Sequence, residues 1–198
     1  MTYQDIRPLF AFSWIALFAF GAGSPQASAS EPVIEEIIVT SEFRPVALED
    51  APVSISVISL NKLKAGAVNH LEEVLGWAPN VNVSSGASRA RFIQIRGIGE
   101  RGQFAETLNS SVGLILDGVD MSGIGTAATL FDAKQVEILR GPQGTLYGAN
   151  ALAGLINVVS NDPSDTFTAT LDLDAGNYDA LGVGAVVSGP ISDELGFR

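Results

Sequence analysis

Residues 136–160, VEILRGPQGTLYGANALAGLINVVS, restrict the possible folds more than any other part of the chain. Strand-prone apolar residues enter a turn series containing Gly141, Gly144, Gly148 and Gly154, and a second apolar run leaves it. Glycine is used where the backbone takes positive φ or closely approaches another surface. The stretch therefore predicts two strands joined by a sterically demanding connection. A single arginine, Arg140, stands at the first junction. The same ending occurs upstream, where residues 92–96 (FIQIR) run into Gly97 as residues 136–140 (VEILR) run into Gly141. Arg89, Arg91, Arg96 and Arg101 lie in a short window whose only acid is Glu100. In an acidic chain such a basic segment asks for a carboxylate-rich partner. Arg89 and Arg91 read as solvated loop arginines. Arg96 and Arg140, poised at strand ends against glycine, predict fixed contacts.

Charge and residue types exclude several functions. The chain has 22 acidic and 11 basic side chains, for a formal charge of −11. That makes it a poor nucleic-acid binder, because phosphate neutralisation supplies most of that affinity. It has no cysteine, which removes disulfide frameworks and thiolate metal sites. Its one histidine, His70, stands beside Glu72 and Glu73 at the start of an expected helix and reads as structural. No GxSxG elbow, HExxH pair or His/Cys cluster is present. Asp117, Asp120 and Asp132 read as turn and cap residues. No catalytic residue, metal site or cofactor is expected, and the chain reads as a non-enzyme. One alternative is an exported dinucleotide-binding enzyme, since Gly97-Ile98-Gly99-Glu100-Arg101-Gly102 fits GxGxxG with Asp117 and Asp120 about 20 residues on. Against it, the polar residues that follow are too few for a crossover helix, and Glu100 sits where pyrophosphate must approach.

The N-terminus carries the pattern of a secretory signal peptide. Arg7 gives a positive start, residues 9–23 an apolar core, and Ala27-Ser28-Ala29 a small-x-small site with cleavage after Ala29. The core is shorter than the roughly 20 apolar residues a membrane-spanning helix needs. Residues 30–50 follow as an acidic segment around Ile37, Ile38, Val39 and Thr40, flanked by Pro32 and Pro45. Such a short run makes no stable element alone, yet it can add to a sheet edge by main-chain hydrogen bonds. From Ala51 the chain reads as folded. Alternation at Val53, Ile55 and Val57 predicts a strand, and Ser59 a cap for a helix over residues 60–65 that ends at Gly66. A second helix is expected from Asn69, with Glu72 in the capping-box position, a buried face of Leu71, Val74, Leu75 and Ala78, and Pro79 as its stop. Residues 81–84 and 112–116 read as strands, the latter ending in the turn dipeptide Asp117-Gly118. This order predicts a compact α+β domain over residues 51–163.

Beyond Pro163 the pattern changes. Phe167, Ala169, Leu171, Leu173 and Ala175 alternate with polar residues, and Leu181, Val183, Ala185 and Val187 repeat the pattern after Gly176-Asn177. Segments of about ten residues with one apolar face suit transmembrane β-barrel strands. They equally suit a soluble, half-buried hairpin. Two strands cannot close a barrel, so residues 164–198 are expected to be the start of an architecture that the chain truncates.

LRGPQGTLYG followed by N…G…INVVS, together with IRGIG and EEIIVTS, resembles the plug domain of TonB-dependent outer-membrane receptors. The resemblance covers about residues 35–198. It implies an α+β plug, built as a small mixed sheet with short helices, followed by the first antiparallel strands of a truncated transmembrane β-barrel. Glu36, Ile37, Ile38, Val39, Thr40 and Ser41 would form the TonB box, which pairs as a strand with TonB so that force remodels the plug. Arg96–Gly97 and Arg140–Gly141 would latch the plug to glutamates of its own barrel wall. Pro142, Gln143, Gly144, Tyr147, Gly148, Asn150 and Gly154 would form the plug motif, its glycines packing against that wall. Loops carrying Arg101, Gln103, Phe104, Gly123 and Thr126 would line the site of a small molecule or metal chelate. The implied location is the bacterial outer membrane, with the plug facing periplasm and lumen. The remaining alternative is an exported α+β binding module with no transport role.

Overall fold

The computed structural model describes residues 37–40, 45–85, 90–100, 109–123 and 129–198. The signal peptide, Glu36, Ser41, Arg101, Gln103, Phe104 and Thr126 lie outside the described residues. In chain order the strands are β1 (Ile38–Val39), β2 (Val46–Ala47), β3 (Ser54–Ser59), β4 (Val81–Ser85), β5 (Ala90–Ile95), β6 (Ile98–Gly99), β7 (Val112–Leu116), β8 (Val119–Asp120), β9 (Ala133–Arg140), β10 (Gly154–Ser160), β11 (Thr168–Ala175), β12 (Leu181–Ser192) and β13 (Leu195–Phe197). Three short helices, α1 (Leu60–Ala65), α2 (Leu71–Leu75) and α3 (Gly144–Tyr147), accompany them.

A mixed five-stranded sheet, ordered β3-β9-β10-β7-β8, organises the domain. Only β10 and β7 run parallel; the other neighbours are antiparallel. Side chains alternate between the two faces of a strand. On one face Ile58, Val136, Ile138, Ile156, Val158, Val112 and Leu114 pack with Leu63, Leu71, Val74 and Leu75 of the helices. The opposite face carries a smaller cluster of Leu139, Leu155, Ile115 and Ala151, with Val53, Ile55 and Tyr147 partly buried against it. Both faces of β3 are thus partly covered, so its apolar alternation is less clean than that of a strand with one wet side. A separate three-stranded sheet, β4-β5-β6, adds Val81, Ile93 and Ile95 to the larger cluster.

Helix α1 has the expected bounds, although the Ser59 side chain makes no capping bond. The expected cap of the second helix shifts by one residue. His70, not Asn69, is the N-cap, and Glu73, not Glu72, closes the box by accepting the main-chain N–H groups of Asn69 (3.1 Å) and His70 (3.3 Å). The buried face of Leu71, Val74, Leu75 and Ala78 is as expected. Asp117 (φ 48°) and Gly118 (φ 83°) form the turn between β7 and β8. Within the GxGxxG string, Ile98–Gly99 folds back on β5 as β6. A Cβ at Gly99 would lie 2.2 Å from the carbonyl oxygen of Ile93, so the glycine serves hairpin packing.

Candidate functional site

Strand register sets the surroundings of Arg140. Ser54 lies opposite Arg140 and Ser56 opposite Ile138, which places Ser54, Ser56 and Arg140 on one face. Arg140 is 8% exposed. Its Nε donates to the Pro79 carbonyl (3.0 Å), Nη1 to Ser54 Oγ (3.3 Å) and Nη2 to Ser56 Oγ. Burial pushes the guanidinium below its ordinary value, and the positive charge of Arg96 adds to that shift. Arg96 follows β5 in the left-handed region (φ 54°) and is exposed, with Gly97 completing the turn. Among the described residues Arg96 forms no ion pair. The structure therefore brings the two strand-end arginines near one another but treats them differently: Arg140 is bonded within the domain, whereas Arg96 faces outward.

The connection from β9 to β10 contains a helical turn, α3, where a glycine-rich turn series was expected. Gly141 N donates to Ala153 O (3.0 Å) and Gln143 N to Ala151 O (2.9 Å), closing the connection on itself. Pro142 is exposed, and Gly148 ends the turn at φ 77°. Tyr147 packs on the smaller cluster. Asn150 accepts from Ser110 N (2.9 Å) through Oδ1 and donates from Nδ2 to Asp120 Oδ2 (2.7 Å). Burial acts to raise the Asp120 carboxyl. The Ser122 hydroxyl and amide, with Asn150, outweigh burial and hold the group below the usual carboxylate range. Among the glycines of the motif the tightest approach lies within the plug. A Cβ at Gly154 would lie 2.4 Å from Leu139 O and 2.6 Å from Ile95 Cδ1. No described neighbour stands within 4 Å of such a Cβ at Gly97, Gly141 or Gly148. Gly123, from the expected ligand loops, is exposed at φ 83°.

A polar row on the second sheet face escaped the sequence reading. Glu137 is fully buried, next to Gln135 and in register with Asn157. Its Oε1 accepts from Gln135 Nε2 (2.6 Å), Thr40 N (2.9 Å) and Thr40 Oγ1 (3.2 Å), and its Oε2 from Asn157 Nδ2 (3.1 Å). Gln135 Nε2 also donates to Ile38 O (2.9 Å). The segment resembling a TonB box thus lies on the sheet, with Val39 only 2% exposed. The available signal was a charged residue inside an apolar strand, with an asparagine in the facing strand LINVVS.

Strands β11, β12 and β13 form an antiparallel sheet. Register aligns Ala169 with Val187, Leu171 with Ala185, Leu173 with Val183 and Ala175 with Leu181, producing one continuous apolar face. That face is open, with Leu173 72% and Leu181 85% exposed. The other face bears Thr170, Asp172, Gly182 and Gly184; Thr170 and Asp172 are exposed, and Gly184 meets the α+β domain. A Cβ at Gly184 would lie 2.8 Å from the Phe131 ring. Asp132 accepts from Nε and Nη2 of Arg198 and from Asn161 Nδ2 (3.0 Å). Arg198 holds the Asp132 carboxyl below its ordinary value, against an opposing effect of burial and with help from Asn161 and Lys64.

The family model described as TonB-dependent Receptor Plug Domain matches residues 47–155, more than half the chain. The chain belongs to the TonB-dependent receptor plug family. Over 144 residues it is 34% identical to the pesticin receptor of Yersinia pestis, covering 72% of this chain and 21% of that protein. It is 26% identical to the iron-regulated outer membrane virulence protein of Vibrio cholerae, covering 92% and 29%. Its structure is similar to the ferric yersiniabactin uptake receptor of Yersinia pestis, with TM-score 0.62 and 33% identity over 71% of this chain and 22% of that one. The chain spans about a fifth of the length of the pesticin receptor it matches. The matched span opens in β2 and closes in β10, so the plug holds both arginine–glycine junctions and the whole LRGPQGTLYG motif. Membership makes residues 47–155 a receptor plug domain.

Proposed function

We propose that the whole protein is an energy-coupled outer-membrane transporter whose plug gates uptake of a ferric chelate. The supporting observation is the orientation of the β11–β12 hairpin. A soluble half-buried hairpin turns its apolar face onto the core. Here Gly184, on the polar, glycine-bearing face, packs against Phe131 of the plug, and the apolar face points away. Transmembrane barrel strands need that arrangement, with lipid on the apolar side and a filled lumen on the other. Among the described residues no helix is long and apolar enough to cross a membrane, and strands of this kind need none. The ferric-chelate class rests on the names of the similar receptors.

In this reading residues 1–29 are the cleaved leader, 30–50 the periplasmic segment, 51–163 the plug and 164–198 the first barrel strands. Residues 36–41 are the TonB box. Arg96, exposed and without an ion pair among the described residues, is the arginine placed to meet a wall glutamate. Arg140 supports it from within. The loops bearing Arg101, Gln103, Phe104, Gly123 and Thr126 contribute to the ligand site. Deleting residues 36–41 from the full-length receptor tests the reading. Energised uptake should stop while ferric-chelate binding to outer membranes persists. Uptake that continues unchanged overturns it.

A further inference from the structure

The buried carboxylate of Glu137 has no role in the function proposed so far, and its surroundings suggest one. Leu48 N donates to Ile37 O (2.8 Å), so Ile37 and Val39 turn their main-chain groups toward β2. Alternation turns those of Ile38 and Thr40 to the opposite edge. At that edge stand side chains instead of a strand: Gln135 donates to Ile38 O, and Glu137 accepts from Thr40 N. One carbonyl and one amide are satisfied, two residues apart, as a neighbouring strand would satisfy them. We propose that Gln135 and Glu137 form a strand-mimicking dock that occupies the free edge of the 38–40 segment and competes with the energy coupler for it. The inference rests on the reading of this segment as the TonB box.

The dependence runs both ways. A fully buried carboxylate is tolerated only when hydrogen-bonded. Two donors to Glu137, the Thr40 amide and hydroxyl, come from the docked segment, and Gln135 and Asn157 also donate to it. Withdrawal of the segment takes the two Thr40 bonds from Glu137 and uncovers Val39, so the docked state is held from both sides. Strand addition needs a row of free amides and carbonyls. With β2 on one edge and the Gln135–Glu137 pair on the other, the docked segment cannot offer the Ile38 carbonyl or the Thr40 amide to an added strand. Coupler affinity is therefore reduced by the fraction of time the segment is docked.

These 198 residues hold no cysteine, so in a full-length receptor with any cysteine beyond them replaced by serine, Val39→Cys reports undocking through its rate of thiol alkylation. The same protein, embedded in outer membranes, is titrated with a soluble periplasmic fragment of TonB. Adding Glu137→Ala should raise both the alkylation rate and the fragment's affinity about 10- to 100-fold, the loss expected from one hydrogen bond to a charged group, because the Thr40 amide and hydroxyl share Oε1. Gln135→Leu keeps the carboxylate, removes the donor to Ile38, and should move both readouts in the same direction; it serves if Glu137→Ala does not fold. Unchanged alkylation in both variants overturns the dock. Faster alkylation with no fragment binding in any form upholds the dock and overturns the TonB-box reading on which the competition rests.

Discussion

Replacing Ser54 and Ser56 together by alanine removes two acceptors from Arg140 and leaves its bond to Pro79 O in place. Hydrogen bonds involving a charged group contribute about 1.5–3 kcal/mol each. Ser54 is exposed and Ser56 half-buried, so water replaces part of the loss, and the pair should cost about 2–3 kcal/mol. The cost is local because β3 is an edge strand bonded only to β9, and Ser54 and Arg140 form its terminal rung. In the proposed function, force entering from the 38–47 segment reaches that rung first. In the full-length receptor, amide hydrogen exchange of β3 should accelerate about 30- to 150-fold, since 1.36 kcal/mol is a factor of ten. Exchange in the central β10–β7 pair should stay within about twofold. Arg140 itself is untouched, so a contact between it and a barrel wall is not altered directly. Unchanged β3 protection, or equal acceleration in β10, refutes the argument that these serines clasp the edge strand.

Gly154→Ala forces a Cβ to within 2.4 Å of Leu139 O and should destabilise the plug by about 2–5 kcal/mol through overpacking and backbone strain. Gly144→Ala, whose Cβ would meet nothing nearer than 3.9 Å, is the control and should leave the urea midpoint unchanged. Asp132 has a depressed carboxyl pKa, caused first by Arg198, so its contribution is complete above the unfolded value and is lost as pH falls through the folded one. The urea midpoints of wild type and Asp132→Asn should therefore differ at neutral pH and converge from roughly pH 4 downward. A pH-independent difference rejects an ionic role for Asp132.

Features governed by residues close in sequence were legible before the structure. The helical face of Leu71, Val74, Leu75 and Ala78 follows from spacing, and the Asp117-Gly118 turn from the left-handed backbone those residue types accept. Cap assignment was less certain because Asn69 and His70 are adjacent, each has a glutamate three residues on, and only the direction of the chain entering the helix selects Glu73. The helical turn of α3 was hidden by glycines that read equally well as turns.

The ordered string LRGPQGTLYG, the two strand–arginine–glycine endings and the alternation after Pro163 determined by themselves the family, the mixed α+β plug and the barrel-like hairpin. Each is a local pattern of residue type and spacing. Register and facing were decided only by tertiary structure. Register sets Ser54 opposite Arg140, and packing turns the polar hairpin face toward Phe131 and lays Thr40 on Glu137, which is 97 residues away in sequence. The physical reason is that a strand's two faces are equivalent until another surface buries one of them. The sequence therefore showed that VEILRG would matter, whereas its partners emerged only when the sheet was assembled.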